Sequence, residues 1–249
     1  MKAVILAGGR GTRLAPYTTI LPKPLMPFGD YPILEIIICQ LREHGFTDIT
    51  LTLGYLAHLF KAYFGNGHRL GVNIGYSVED TPLGTAGPLT LISDLDTPFL
   101  VMNADLLTDL DYSDLYRYHC HEKAAITVAL HPKDVQVALG VLELNENAEV
   151  IKYIEKPTFS YLVSMGIYVV SPRIMQFLPP GQRFEFPDLV NMLMQRGEKV
   201  SGYVFRGEWL DVGRLEDYTR ATESFKHLAA AAALPINQEP PVFTVSEPV

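Results

Sequence analysis

A net charge of −8, from 20 Lys and Arg against 28 Asp and Glu, makes nucleic acid or an anionic membrane surface an unfavourable main partner for this 249-residue chain. Its 48% hydrophobic and 19% charged residues are typical of a globular protein with a substantial core, and no apolar run approaches the ~20 residues of a membrane span. Two cysteines without metal-ligand spacing, and an N-terminal apolar run that stops at Gly8, favour a cytoplasmic protein.

Short apolar runs alternate with amphipathic segments through the first half of the chain, the pattern of a parallel α/β sheet. The β-branched run from Lys2 to Leu6 predicts a buried first strand. Further strands are predicted over residues 48–53, 72–78 and 99–102, and helices over residues 33–44, 56–64 and 85–92. Ser113 is the predicted cap of a helix that runs through His119.

The second half is less regular, which predicts a mixed sheet order and a small, lid-like β subregion. We predict strands over residues 124–130, 140–144, 150–155, 162–170, 200–205 and 208–211, and helices over residues 173–178, 187–196 and 215–233. The predicted fold class is therefore α/β, with a mixed, mostly parallel central sheet flanked by helices. The domain is placed at residues 1–233, followed by an extended, proline-rich tail over residues 234–249.

The break after the first strand contains three glycines within four positions, Gly8, Gly9 and Gly11. Glycine allows a tight turn and brings backbone N–H groups close to a ligand. Lys23 follows between two prolines, which restrict the backbone around it. No acidic residue precedes position 30, whereas four Lys or Arg do. A cationic, amide-rich loop after a first strand predicts a polyphosphate site, with a plain surface turn as the alternative.

The motif Gly8-Gly9-x-Gly11-Thr12-Arg13-Leu14, followed by Lys23-Pro24-Leu25, resembles the opening of the sugar-1-phosphate nucleotidyltransferases, the NDP-sugar pyrophosphorylases. A Walker A loop fits worse because no Gly-Lys-Ser/Thr run occurs, and a dinucleotide fingerprint lacks its third glycine. The resemblance implies a Rossmann-like nucleotidyltransferase fold whose β subregion lies on the sugar side. It implies that Arg13 grips pyrophosphate, that Lys23 stabilises charge at the α-phosphate, and that the nucleotide is bound by Leu6, Gly8, Gly9, Gly11 and Thr12.

Two aspartates are candidate Mg²⁺ ligands. Asp105 directly follows a predicted buried strand, and ligands of open α/β sheets bind beyond the carboxyl ends of strands. Mg²⁺ prefers oxygen ligands and usually keeps water and phosphate as its others. Asp211, in Trp209-x-Asp211-x-Gly213, is similar to the family's second metal motif. A turn or capping role is the alternative for each aspartate.

Residues 79–89, EDTPLGTAGPL, resemble the family's base-recognition loop, most closely that of mannose-1-phosphate and heptose-phosphate guanylyltransferases. The resemblance implies that Glu79 reads the base and that Gly84 and Thr85 contact the nucleotide. A carboxylate only accepts hydrogen bonds, which suits the adjacent N1–H and N2–H₂ donors of guanine better than uracil or thymine. GTP is therefore favoured, and a surface turn acid is the alternative.

Glu155-Lys156-Pro157 resembles the family's sugar-side motif. The resemblance implies that Lys156 holds the sugar-1-phosphate, that Glu155 holds sugar hydroxyls, and that Gly140 lines the same pocket. Ser164 stands where the family often has an asparagine that contacts the sugar, so the resemblance implies that Ser164 is a sugar-side residue. Serine is shorter and lacks the amide of asparagine, and the identity of the sugar therefore stays open.

These residues predict a Mg²⁺-dependent enzyme that joins a nucleoside triphosphate, GTP favoured, to a sugar-1-phosphate, mannose- or heptose-1-phosphate favoured. Pyrophosphate leaves by in-line displacement, and the attacking phosphate oxygen needs no general base. The alternatives are the same reaction with UTP, dTTP, CTP or ATP, a catalytically silent subunit that senses an NDP-sugar, and a nucleotide-cofactor oxidoreductase. The sequence leaves a homo-oligomer open.

Overall fold

The computed structural model describes residues 1–212, so the helix predicted over residues 215–233 and the predicted tail lie outside the described residues. The α-helices of the described part are α1 (Ile33–Glu43), α2 (Ala57–Phe64), α3 (Tyr112–Glu122) and α4 (Phe186–Gln195). Its strands are β1 (Lys2–Leu6), β2 (Pro27–Phe28), β3 (Tyr31–Pro32), β4 (Asp48–Leu53), β5 (Asn73–Val78), β6 (Phe99–Asn103), β7 (Leu106–Thr108), β8 (Ile126–Gln136), β9 (Val141–Leu144), β10 (Val150–Ile154), β11 (Thr158–Val170), β12 (Val200–Val204) and β13 (Trp209–Asp211).

Seven of these strands form one sheet in the order β12-β8-β11-β6-β1-β4-β5. Neighbouring strands are parallel except where β11 pairs with β6 and with β8. This mixed, mostly parallel sheet with flanking helices confirms the predicted fold class. Two-stranded antiparallel pairs accompany it, β2 with β3, β7 with β13 and β9 with β10, and the last of these is the predicted β subregion.

Strand β1 lies in the interior of the sheet and has a hydrophobic core on each face. Ile5 packs in the core that contains Ile37 of α1, whereas Val4 packs in the core that contains Leu189 of α4. The continuous apolar run of β1 follows from this burial on both faces. The loop that leaves β1 after Leu6 therefore starts from a rigid position.

Two strands are longer than the sequence predicts. β8 and β11 pair with each other from Ile126 and Val170 out to Gln136 and Thr158, beyond the predicted residues 124–130 and 162–170. The outer parts of both strands are largely exposed and mix polar with apolar residues. Neither burial nor strict alternation therefore marks them in the sequence.

Two of the predicted helices are short 3₁₀ helices, and the predicted helix cap is wrong. The helices predicted over residues 85–92 and 173–178 are 3₁₀ helices over Gly87–Leu91 and Pro172–Phe177. Helix α3 is capped by Asp111, whose Oδ1 accepts from the backbone N–H groups of Ser113 and Asp114 at 2.8 and 3.0 Å. Asp and Ser are comparable caps, and the sequence offers both within three positions. Among residues 1–212, none of the helices has the length and apolar character needed to cross a membrane.

Candidate active site

A cleft of about 520 Å³ opens at the carboxyl ends of β1, β4, β5 and β6. This is the edge at which open α/β sheets bind ligands. The predicted site residues that line it are Leu6, Gly8, Gly9, Gly11, Arg13, Lys23, Glu79, Gly84, Thr85 and Asp105. The predicted residues that are not part of this lining are Thr12, Gly140, Glu155, Lys156, Ser164 and Asp211.

Gly11, in the glycine loop after β1, is a position at which both the backbone angle and the packing disfavour a side chain. Gly11 has φ +61°, and a Cβ added to it would lie 3.1 Å from both Lys23 Cβ and Thr18 Cγ2. The Thr18 hydroxyl donates a 2.9 Å hydrogen bond to the Gly11 carbonyl and holds the loop in this shape. The next turn buries Leu14 and leaves Arg13 exposed at the cleft.

Lys23 and Asp105 meet inside the cleft although 82 positions separate them. Lys23 Nζ donates to Asp105 Oδ2, and the two side chains are 8% and 23% exposed. A buried ammonium group needs such a partner, because removing an unpaired charge from water is costly. The pair therefore places one positive and one negative side chain in the same cleft as the glycine loop.

Asp211 reaches the same end of the sheet through the short pairing of β13 with β7. Asp211 stands opposite Leu106 in that pairing, and the N–H of Val212 donates to the carbonyl of Asp105 at 3.0 Å. Asp211 is exposed. Within residues 1–212, no cluster of three or more His, Cys, Asp or Glu side chains suits a metal ion. The backbones of Asp105 and Asp211 are therefore neighbours, whereas only Asp105 lines the cleft.

Glu79 joins the end of β5 to the glycine loop. Its Oε2 accepts from the N–H of Leu83 at 3.0 Å, and its Oε1 lies 2.6 Å from the position that a Cβ on Gly8 would take. Gly54 is similarly close, with 3.2 Å between its added Cβ and the same oxygen. Burial of the carboxyl raises the pKa of Glu79. A side chain at position 8 would therefore displace the Glu79 carboxylate from its present position.

Asn103 is a cleft residue that the sequence reasoning did not select. It ends β6, lines the cleft, and its Nδ2 lies 2.6 Å from where a Cβ on Gly166 would be. Gly166 has φ +73°, so the missing side chain gives the Asn103 amide its room. The rule that selects Asp105, a polar residue at the carboxyl end of a buried strand, applies equally to Asn103.

Three of the sugar-side residues gather at the β9–β10 hairpin. The Tyr153 hydroxyl donates to Glu155 Oε2 at 2.8 Å, and a Cβ on Gly140 would lie 2.4 Å from the same hydroxyl. Lys156 Nζ lies 4.0 Å from Glu155 Oε1, and both side chains are about 60% exposed. The hairpin therefore carries its own charged cluster outside the lining of the cleft.

Ser164 lies on β11 at an irregularity in the pairing with β8. Its hydroxyl is 3.3 Å from the Tyr168 hydroxyl and accepts from the N–H of Gly166, also at 3.3 Å. The Tyr168 ring stacks on Phe186, with ring centroids 4.2 Å apart. Ser164 is thus connected to Gly166, which lies beside the cleft residue Asn103, and through Tyr168 to the start of α4.

A glycine loop after an interior parallel strand shares this cleft with the buried Lys–Asp pair, an arrangement that suits phosphate groups in α/β proteins. The family model described as Nucleotidyl transferase matches residues 2–227. The chain therefore belongs to this family, which confirms the resemblance seen in the sequence.

Similar proteins include a UTP–glucose-1-phosphate uridylyltransferase from Synechocystis, 34% identical over 89% of this chain and 62% of the relative. A mannose-1-phosphate guanyltransferase from Schizosaccharomyces pombe is also 34% identical, over 89% of this chain and 63% of the relative. The chain thus spans slightly less than two thirds of these curated relatives. A Bacillus anthracis crystal structure, assigned as a glucose-1-phosphate thymidylyltransferase and complexed with sucrose, superposes with a TM-score of 0.71 at 27% identity, covering 96% of this chain and 97% of its own.

Proposed function

We infer that the protein transfers a nucleotidyl group from a nucleoside triphosphate to a sugar-1-phosphate, giving an NDP-sugar and pyrophosphate. The observation that carries this inference is the Lys23–Asp105 pair, buried in a cleft that begins with the family's glycine loop. Family membership and the sugar-1-phosphate nucleotidyltransferases among its relatives support the same reaction class.

The chemistry requires control of charge more than proton transfer. The sugar phosphate oxygen is already anionic and attacks the α-phosphate directly, so the barrier lies in bringing two anions together. Lys23 would stabilise the charge that builds around the α-phosphate, and Arg13 would bind the leaving pyrophosphate. The glycine loop would cradle the triphosphate with its backbone N–H groups.

Asp105 and Asp211 fit a Mg²⁺ ion by the chemistry of their donor set. Two carboxylates suffice, because Mg²⁺ usually takes one or two from the protein and fills its other positions with water and substrate phosphates. A Mg²⁺ ion held by these two carboxylates would supply positive charge that neutralises the phosphate groups. In this proposal Asp105 also pairs with Lys23, so the same carboxylate orders the cation and the metal.

GTP is the favoured nucleotide. The N–H of Leu83 donates to Glu79 Oε2 and so positions the Glu79 side chain. A carboxylate only accepts hydrogen bonds, which suits the two adjacent N–H donors of guanine. The mannose-1-phosphate guanyltransferases among the relatives agree with GTP, whereas the Synechocystis relative, a uridylyltransferase, makes UTP the second candidate. On the sugar side, mannose- or heptose-1-phosphate is favoured, held by Gly140, Glu155, Lys156 and Ser164.

A pyrophosphate-release screen tests the proposal. The screen crosses GTP, UTP, dTTP, CTP and ATP with mannose-, glucose- and heptose-1-phosphate in the presence of Mg²⁺. We expect the highest rate with GTP and mannose- or heptose-1-phosphate. A higher rate with UTP would replace the proposed base. Tight NDP-sugar binding without turnover of any pair would indicate a regulatory subunit instead of an enzyme.

A further inference from the structure

The loop that carries Gly84 and Thr85 takes its shape from a segment about 100 positions later. The N–H of Phe184 donates to the carbonyl of Leu83 at 2.9 Å. The N–H groups of Ala86 and Gly87 both donate back to the carbonyl of Phe184, at 2.9 and 3.0 Å. Three backbone hydrogen bonds therefore fasten this side of the cleft to the residues that precede α4.

Glu185 completes this connection with its side chain. Its Oε2 accepts from the backbone N–H of Thr85 at 3.0 Å and from the Thr85 hydroxyl at 2.8 Å. The same hydroxyl accepts from the N–H of Phe186 at 2.8 Å. The Glu185 carboxylate, the N–H and hydroxyl of Thr85 and the N–H of Phe186 are thus bonded to one another, so the position of Thr85 depends on that carboxylate.

The packing around Gly84 leaves little freedom for another arrangement. Gly84 has φ +77°, and a Cβ added to it would lie 2.7 Å from the Phe184 carbonyl oxygen and 2.8 Å from Glu185 Oε1. Gly84 and Thr85 line the cleft, whereas Glu185 is not part of its lining. Glu185 thus reaches the cleft only through the two loop residues that it holds.

We propose that Glu185 is a positioning residue for the nucleotide: it holds Gly84 and Thr85 where they contact the bound triphosphate substrate. The inference rests on the proposed function, because it takes this cleft as the nucleotide site. In this proposal Glu185 does not contact the substrate and affects nucleotide affinity through Gly84 and Thr85.

The role requires a carboxylate and not only a polar side chain. Burial opposes ionisation of Glu185, but the hydrogen bonds from Thr85 and Arg183 outweigh it and lower the pKa of the carboxyl. Both oxygens accept, Oε2 from Thr85 and Oε1 from the Arg183 guanidinium at 3.1 and 3.3 Å. A glutamine would turn an NH₂ group toward one of these donors and lose that side of the contact.

The test compares Glu185→Gln with Glu122→Gln in the full chain. Glu122 is a matched control because its Oε2 accepts from Lys199 Nζ at 2.6 Å, at the amino ends of β8 and β12 and away from the cleft. We expect Glu185→Gln to raise the KM for the nucleotide about tenfold, the loss of roughly one charge-assisted hydrogen bond, with kcat within about twofold of wild type. Glu122→Gln should leave both parameters unchanged.

A double-mutant cycle with Thr85→Val separates positioning from general destabilisation. Thr85→Val removes the hydroxyl bond to Glu185 and keeps the bond from the backbone N–H, so the two variants share one contact and the double variant should raise KM by less than the two single effects combined. Additive effects, an unchanged KM, or a loss confined to kcat would overturn the inference. If the wild-type protein neither binds nor turns over any of the five nucleotides, the proposed function fails as well. If the wild-type protein is active and Glu185→Gln has the same KM as wild type, only the inference about Glu185 fails.

Discussion

Replacing Lys23 by methionine keeps most of the side-chain volume and removes the charge. The Lys23 side chain is 8% exposed and Asp105 is 23% exposed, so the variant leaves a largely buried carboxylate without its cation. Leaving a buried polar or charged partner unsatisfied costs about 1–3 kcal/mol of the free energy of unfolding. Losing a well-placed donor at the α-phosphate costs on the order of 10²–10³ in kcat. The rate should therefore fall far more than the stability.

Both quantities can be measured on one sample. Pyrophosphate release gives kcat, and urea unfolding can be followed by the fluorescence of Trp209, the single tryptophan, whose indole N–H donates to the Met165 carbonyl. Lys2→Met is the control, because Lys2 pairs with Asp94 and Asp48 at the surface. We expect the control to change stability by less than about 1 kcal/mol and to leave the rate unchanged.

Two outcomes would refute this reasoning. A Lys23→Met protein with a near-normal kcat would show that the buried cation does not stabilise the transition state. Asp105→Asn should also abolish most turnover while the fold survives, and a near-normal rate there would contradict its role. The double variant should lose less stability than the sum of the two single variants, because the second change removes the charge that the first left unpaired.

The remaining predictions concern metal, loop shape, base reading and pH. Removing divalent cations with EDTA should abolish pyrophosphate release and Mg²⁺ should restore it; turnover that survives EDTA would argue against the Asp105–Asp211 site. Gly11→Ala should raise the KM for the nucleotide, whereas Gly29→Ala should not, since both have left-handed φ but no atom lies within 4 Å of a Cβ on Gly29. Glu79→Gln should reduce the kcat/KM for GTP relative to UTP; an unchanged ratio would remove Glu79 from base reading. Burial, with a smaller contribution from Arg173, lowers the pKa of His119 from 6.5 to about 4. Only the unfolded chain binds this proton between those values, so stability should fall by up to about 3 kcal/mol as pH drops from 6.5 to 4, measured by urea unfolding. His119→Asn should reduce this slope, and the exposed His121→Asn should not.

Local sequence patterns predict the strands of the parallel part of the sheet and the cleft residues that directly follow β1 and β6. The bounds of β1 and β4 agree with the prediction because both strands are buried and bordered by clear breaks. Asp105 was found for a similar reason, since a strand end in an open sheet limits where the next residues can lie. These features depend on the chain within a few positions of each residue.

The unpredicted features are contacts between distant parts of the chain. Strand β7 has three residues and is defined by its pairing with β13, about 100 positions later. The contact between Thr85 and Glu185 has the same separation, and no local signal marks Glu185 as its partner. Asn103 was missed although a local rule applied to it, because its cleft position became evident only beside Gly166.

The hydrogen bonds between residues 83–87 and residues 184–186 also have a consequence for folding during translation. A ribosome releases the glycine loop and most of the parallel strands early, long before Glu185 has been made. Until that later segment emerges, the loop around Gly84 lacks its hydrogen bonds with Phe184 and Glu185. If the cleft binds a nucleotide as proposed, an incomplete chain should therefore bind it more weakly than the full chain.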